Sequence, residues 1–299
     1  MNFYYRITIP SLNTELCFKE YTLKHHKAFN KILKNEDYFC YDKFIDDLII
    51  DLCVDNIDIK KLTILDKFTL LLNFYLMSFG QNKIIKRKID NDNYLESRIS
   101  IQKILEKIDE SISITKIPNH ESEKYIIGLT IPYGEYTEDS DIIYKCISEI
   151  YIKHTKETID LRDYDINQRK QIIDLLSVDI TKMVKCINTT LEELSNIELF
   201  RIKGDTNDYE KTYLVLNYSY IYSLIKFFFE EDLTNMYHLE YFMVRKLHCG
   251  LNHIESMTPS EQLIYVNIFK REQEEKEKQY SKSVKNSPNM NLQIPDNIE

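Results

Sequence analysis

The chain has 299 residues, 43% hydrophobic and 29% charged, a balance that excludes the disordered and membrane classes and allows a sizeable core. With 39 Lys and Arg against 48 Asp and Glu it carries a net charge of −9, a field that repels polyphosphate, so nucleic acid is not an expected partner. Five Gly and six Pro leave no glycine-rich loop to cradle a phosphate, and the most apolar window, Phe68 to Phe79, falls short of the ~20 residues of a membrane span.

In chain order, Tyr4 to Pro10 alternates apolar and polar residues, Pro10-Ser11-Leu12-Asn13 supplies turn chemistry, and Glu15 to Lys19 follows, which predicts a β-hairpin. From Thr22 the period lengthens. Phe44, Ile45, Leu48, Ile49, Leu52 and Cys53 fall three and four apart with Asp42, Asp46, Asp47 and Asp51 opposite, the pattern of a helix that buries one face and turns acids to water. Leu65, Phe68, Leu72, Tyr75, Leu76 and Phe79 form one stripe of a further helix that stops at Gly80. Between about residues 82 and 162 the pattern turns to strands, notably Tyr125 to Pro132, Ile147 to Lys153 and Thr158 to Arg162, while Leu95 to Glu110 fits either type.

Asp165 with Gln168 three positions later caps a helix carrying Ile172, Ile173 and Leu176, and another helix is expected from Thr181 to Leu194. Ile197 to Ile202 and Thr212 to Leu216 read as strands around a polar turn. After residue 217, Leu224, Phe227 and Phe228, then Met236, Leu239, Met243 and Leu247, recur at spacings that bury one helix face. Thr258-Pro259-Ser260-Glu261 starts the last helix: Thr258 caps, Pro259 suits the first position and Glu261 reaches back to the Thr258 amide. Its opening turns hold Leu263, Ile264, Val266, Ile268 and Phe269 around most of the circumference, so this part needs cover on several sides.

Beyond Tyr280 the sequence is polar and aperiodic, and a mobile polar tail is expected over residues 281–299. No repeat or long linker divides the rest. The expected fold is α+β: an N-terminal β-hairpin followed by amphipathic helices, a central strand-rich region and a C-terminal helical region. Residues 1–280 form one body, with sub-boundaries near 82 and 217.

Chemistry has little to stand on. His248, Cys249 and His253 cluster near a helix end, but tetrahedral zinc needs a fourth ligand in a recognisable spacing; a metal-assisted enzyme built on these three is the alternative that metal analysis would decide. His25 and His26 are neighbours about 100° apart on a helix and cannot easily chelate one ion, so they read as surface and semi-buried histidines. Asp163 with Asp165 and Glu230 with Glu231 are acid pairs with no sign of the cleft that general acid-base work requires. The basic stretch Lys83, Lys86, Arg87 and Lys88 lacks interleaved aromatics for stacking bases. No nucleophile elbow, zinc-protease motif or cysteine-nucleophile signature occurs, and the six cysteines have no paired short spacing, as expected of reduced thiols. No catalytic residue, cofactor, metal or small-molecule substrate is therefore expected.

Four segments carry a family resemblance: the hairpin beginning "ITIPSL"; "IIDLCVDNIDIKKLTILDKFTLLLNFYLMSFG" (49–80); "CISEIYIKHTKETIDLRDYDINQRKQIIDLL" (146–176); and "LEYFMVRKLHCGLNHIESMTPSEQLIYVNIFKREQEEKEK" (239–278). Across about residues 3 to 279 the chain resembles the baseplate hub subunits and hub assembly proteins of T-even-like bacteriophages. The resemblance implies an α+β fold and a role in building the central hub through contacts with other hub proteins or the tape-measure protein. It implies assembly in the host bacterial cytoplasm and a place in the tail baseplate, and it transfers no catalytic residue. A tail assembly chaperone, absent from the mature virion, is the alternative. Leu263, Val266 and Phe269 on the last helix are the candidate partner interface, against the alternative that they complete the chain's own core.

Overall fold

The computed structural model describes residues 4–34, 38–88, 94–114, 119–132, 142–176, 182–185, 187, 189, 197–202, 212–216 and 221–285. The chain opens on an antiparallel hairpin of β1 (Tyr4–Ile9) and β2 (Thr14–Lys19), registered from Tyr4 opposite Lys19 to Ile9 opposite Thr14. Alternation does what it predicts: Ile7 and Ile9 are buried, and Asn13 takes the positive φ of 48° that a short polar side chain tolerates in the turn. Helices α1 (Leu23–Leu33), α2 (Tyr38–Leu52) and α3 (Ile64–Phe79) follow.

α3 is buried nearly all round, beyond the single stripe expected of it. Its enclosed residues include Asp66, Lys67, Thr69 and Ser78 as well as the leucines and phenylalanines, because β1, α2 and later helices pack on different sides of it. Two polar devices make this tolerable. Asp66 accepts hydrogen bonds from the Ser11 amide (3.0 Å), the Ser11 hydroxyl (2.6 Å), the Thr63 amide (2.7 Å) and the Thr63 hydroxyl (2.6 Å), so one carboxylate caps α3 and ties it to the hairpin turn. The Lys67 ammonium lies 2.5 Å from Asp46 and 3.4 Å from Asp42 of α2. Asp42 and Asp46 were expected on a solvated face with Asp47 and Asp51. Asp42 is instead buried and Asp46 mostly so, because a lysine from the next helix neutralises them, while Asp47 and Asp51 face water.

The ambiguous stretch splits in two. β3 (Asn82–Lys88) pairs antiparallel with β4 (Tyr94–Ser100), and the chain then turns into α4 (Ile101–Ile114), whose Ile101, Ile104, Leu105 and Ile108 recur at helical spacing and are buried. The middle is thus strand-rich but interrupted by a helix. A four-stranded antiparallel sheet follows in the order β5 (His120–Glu121), β6 (Tyr125–Leu129), β7 (Ile147–Ile152), β8 (Glu157–Asp160), with the short α5 (Ile142–Lys145) before β7. α6 (Ile166–Leu175) begins at the expected cap, where Asp165 accepts from the Asn167 and Gln168 amides at 2.9 Å. Of the helix expected over 181–194, residues 182–185, 187 and 189 are helical and the rest lies outside the described residues. β9 (Ile197–Ile202) and β10 (Thr212–Leu216) pair antiparallel.

The C-terminal region is helical: α7 (Ile221–Phe229), α8 (Leu233–Lys246), α9 (Leu251–Ser256) and α10 (Pro259–Lys285). One hydrophobic cluster runs from Ile7 to Phe229, and a smaller one joins Leu23 of α1 to Met243, Ile254 and Met257. The smaller cluster is pinned by Lys27, which donates to Glu240 (2.9 Å) and Glu255 (3.3 Å), and by the Leu23 amide, which donates to the Met257 carbonyl (2.8 Å). α10 continues five residues past the expected end of the body, and the rest of the expected tail, 286–299, lies outside the described residues.

Two substitutions test this account. Gly80 ends α3 at φ 101°, ψ −177°, a conformation nearly confined to glycine, with open space around its Cα, so Gly80→Ala is expected to cost about 1–3 kcal/mol through backbone strain alone. Lys67→Met leaves buried Asp42 and Asp46 without their cation and is expected to cost about 3–5 kcal/mol. Urea denaturation measures both, and an unchanged midpoint for either variant would refute its assignment.

Candidate partner-binding groove

α10 is launched where the sequence indicates. The Thr258 amide donates to the Glu261 carboxylate (2.8 Å), the Glu261 amide donates back to the Thr258 hydroxyl (3.3 Å), and Pro259 takes the first helical position. The helix then packs on α3 and meets α8 through Phe269, and an open groove of about 680 Å³ lies between the two helices. Met236, Leu239 and Phe242 of α8 form one wall, Leu263, Val266 and Phe269 of α10 the other, and Leu23 and Phe79 lie in the floor.

All three residues singled out on the last helix therefore line one feature, in different ways. Val266 is 6% exposed and belongs to the packing, Leu263 is 51% exposed at the groove edge, and Phe269 is half-buried with its ring edge-on to Phe242 at 5.0 Å. The opposite side of α10 is also apolar and uncovered: Ile264 is 56%, Ile268 50% and Tyr265 43% exposed.

The floor holds a polar cluster that local patterning does not announce. His26 is fully buried, in contrast to the surface or semi-buried place expected of it, and its Nε2 lies 3.3 Å from Glu231 Oε2. The Tyr21 hydroxyl sits 3.2 Å from His26 Nδ1. Asn30, one helical turn after His26, donates to the Phe229 carbonyl (3.1 Å) and accepts from the Glu231 amide (2.6 Å), so it ties the α7–α8 junction to α1. Lys83 donates to the neighbouring Phe228 carbonyl (2.8 Å), which gives one member of the basic stretch a structural role. Burial pushes the Tyr21 phenol well up, with the Glu231 charge adding to it, and burial lowers the Lys83 ammonium. Burial alone would raise the Glu231 carboxyl; the hydrogen bond and charge of His26, with Lys83 behind, outweigh it and hold the carboxyl below its ordinary value. His25 points elsewhere: its Nδ1 accepts from the Thr22 amide (3.0 Å) and its Nε2 approaches Asp51 (3.2 Å).

The other candidates stay apart. His248 follows α8 at a positive φ of 55°, the Cys249 thiol points to the Leu247 carbonyl (3.8 Å), and His253 lies on α9; among the described residues no three His, Cys, Asp or Glu gather as a metal-ligand set. Cys17, Cys53, Cys146 and Cys249 are free thiols, and Cys186 lies outside the described residues. Among the described residues no helix is long and apolar enough to cross a membrane.

An α+β body with an apolar trough on its helical end presents the kind of surface that holds an amphipathic segment of another protein. The chain belongs to the T4 bacteriophage base plate protein family, whose model matches residues 1–234. It is a T4-like phage baseplate protein with a structural or assembly role. No curated protein and no solved structure matches it. Three of the four segments quoted above fall inside the match, whereas the fourth, 239–278, lies beyond it. The groove straddles that limit: Leu23, His26, Phe79 and Glu231 come from the matched part, and most of both walls from the helices after it.

The Glu231 carboxyl titrates below the ordinary 4.5, so its pair with His26 stabilises the fold fully above that value and loses this contribution as the pH falls through the lower folded value. Wild type is expected to exceed Glu231→Gln in urea midpoint near neutral pH, and the two curves to converge in acid. A gap that stays constant down the acid limb would remove Glu231 from this role.

Proposed function

We propose that the chain is a baseplate hub subunit or hub assembly factor that acts by protein–protein contact through the helical end of the fold. Family membership supplies the baseplate. The observation that carries the contact surface is the groove between α8 and α10, with Leu263, Val266 and Phe269 as its α10 wall. Apolar surface left open on both sides of one helix is stabilised by cover from another chain. The partners are other hub proteins and the tape-measure protein of the same phage, met in the host cytoplasm during assembly. No residue is assigned a catalytic role, and no nucleic acid, membrane or small-molecule substrate enters the reading.

The same exposed helix also suits transient binding, so a tail assembly chaperone that departs before maturation is the second reading. Quantitative mass spectrometry of purified virions separates them: stoichiometric presence supports the subunit, absence the chaperone.

Contact through the groove is tested by co-expressing the chain with the hub and tape-measure proteins of the same phage. Leu263→Asp places a charge on the groove edge at a half-exposed position, so stability is expected to change by less than about 1 kcal/mol while capture of a hub partner falls at least roughly tenfold. Undiminished capture of every partner by a folded Leu263→Asp would overturn the assignment.

A further inference from the structure

We infer that the groove between α8 and α10 receives the outer face of α10 from a second copy of the chain, with Arg271 of that copy on Glu231. The inference rests on the reading of the groove as a contact surface and names what fills it in the free chain, before a hub partner displaces it.

The groove itself restricts what can fill it. Most of its lining is apolar, with Lys270 and Glu274 on the α10 side, and Glu231 opens into it with 44% of its side chain accessible. His26 engages Oε2 only, and among the described residues no donor reaches Oε1. An occupant that closed the groove would take Oε1 out of water, and a carboxylate oxygen desolvated without a donor opposes binding even though His26 holds the other oxygen. The fitting occupant is therefore an apolar ridge that carries a hydrogen-bond donor for Oε1, a role a guanidinium fills.

The chain displays such a ridge. At 100° per residue, Ile264, Ile268 and Arg271 fall within about 60° of one another on α10, opposite Val266. Both isoleucines are at least half exposed, and Arg271 is exposed with no ion pair among the described residues. The spacing i, i+4, i+7 is the one by which an amphipathic helix seats its anchors in a groove. A volume of about 680 Å³ suits the side chains of one helix face.

Groove and ridge lie on opposite sides of the same helix, so the contact joins unlike surfaces of the two copies. Such a contact repeats from copy to copy, and closes into a ring only if the rotation between neighbours allows it. One helix face in one groove is a small interface, below the ~1,200 Å² of stable complexes, so association depends on concentration. A net charge of −9 opposes it at a distance, while the Arg271–Glu231 pair attracts locally and fixes the register.

Sedimentation velocity of the full chain over a concentration series tests the inference. The expected result is a weight-average mass that rises with concentration. Ile268→Asp and Arg271→Glu, both at exposed positions that leave the fold intact, are each expected to weaken self-association at least roughly tenfold. Glu231→Arg is expected to do the same, and Glu231→Arg combined with Arg271→Glu to restore most of it, with circular dichroism confirming the fold of each variant. A wild type monomeric throughout the series, or self-association untouched by Ile268→Asp and Arg271→Glu, overturns the inference. A monomeric chain that still captures a hub protein through Leu263 overturns it while leaving the proposed function standing.

Discussion

A lysine ammonium enclosed between two aspartates decides how this chain packs. Lys67 belongs to a helix buried nearly all round, and its charge is compensated because α2 brings Asp42 and Asp46 to it. An ion removed from water is tolerated when its partners are held in place, so α2 and α3 can combine in essentially one register. Asp66, on the same turn of α3, repeats the principle toward the hairpin through its bonds from Ser11. With hairpin, α2 and α3 fixed relative to one another, α4, α7 and α10 each find a defined side of α3 to pack against.

That arrangement makes the floor of the groove rigid before anything binds there. Phe79, at the end of α3, meets His26 edge-on at 4.7 Å, stacks on Tyr75 at 4.6 Å and lies 6.4 Å from Phe229. Phe229 in turn packs on Phe29 of α1, and Asn30 bridges the same junction by hydrogen bonds. Aromatic packing and a satisfied polar cluster thus lock α1, α3 and α7 together under the groove. The upper wall is held more lightly, since α10 touches the body along one side. A fixed floor reduces the ordering cost of anything that binds above it, and the carboxylate of Glu231 opens into the groove.

How much of this could be read from the residues depends on range. The hairpin was legible because alternation, turn residues and a second alternating run are contiguous, and the start of α10 because the Thr258–Glu261 box closes within one turn. The α+β class and element order followed from such local signals. The charged members of α2 were not legible, because helical spacing puts Asp42 and Asp46 opposite the apolar stripe and nothing nearby reveals that Lys67, more than twenty positions on, will neutralise them. The pairing of His26 with Glu231 spans about 200 residues and has no local trace beyond Asn30 one turn away. Leu95 to Glu110 supported two patterns because it contains both, with the change at Ser100. The three α10 residues were found because apolar side chains around a whole circumference are conspicuous; that they share a groove with α8 depends on where the helix comes to rest.

The length of α10 adds a mechanical consequence. Its 27 helical residues extend about 40 Å, whereas the groove engages it only as far as Glu274, which leaves roughly 16 Å of continuous helix beyond the last lining residue. From Glu275 to Gln279 this overhang is charged or polar and exposed. A helix transmits rotation along its axis without bending much over such a distance. Any change in how α10 is seated would swing its far end through a larger arc, as a lever does about a fulcrum at Val266.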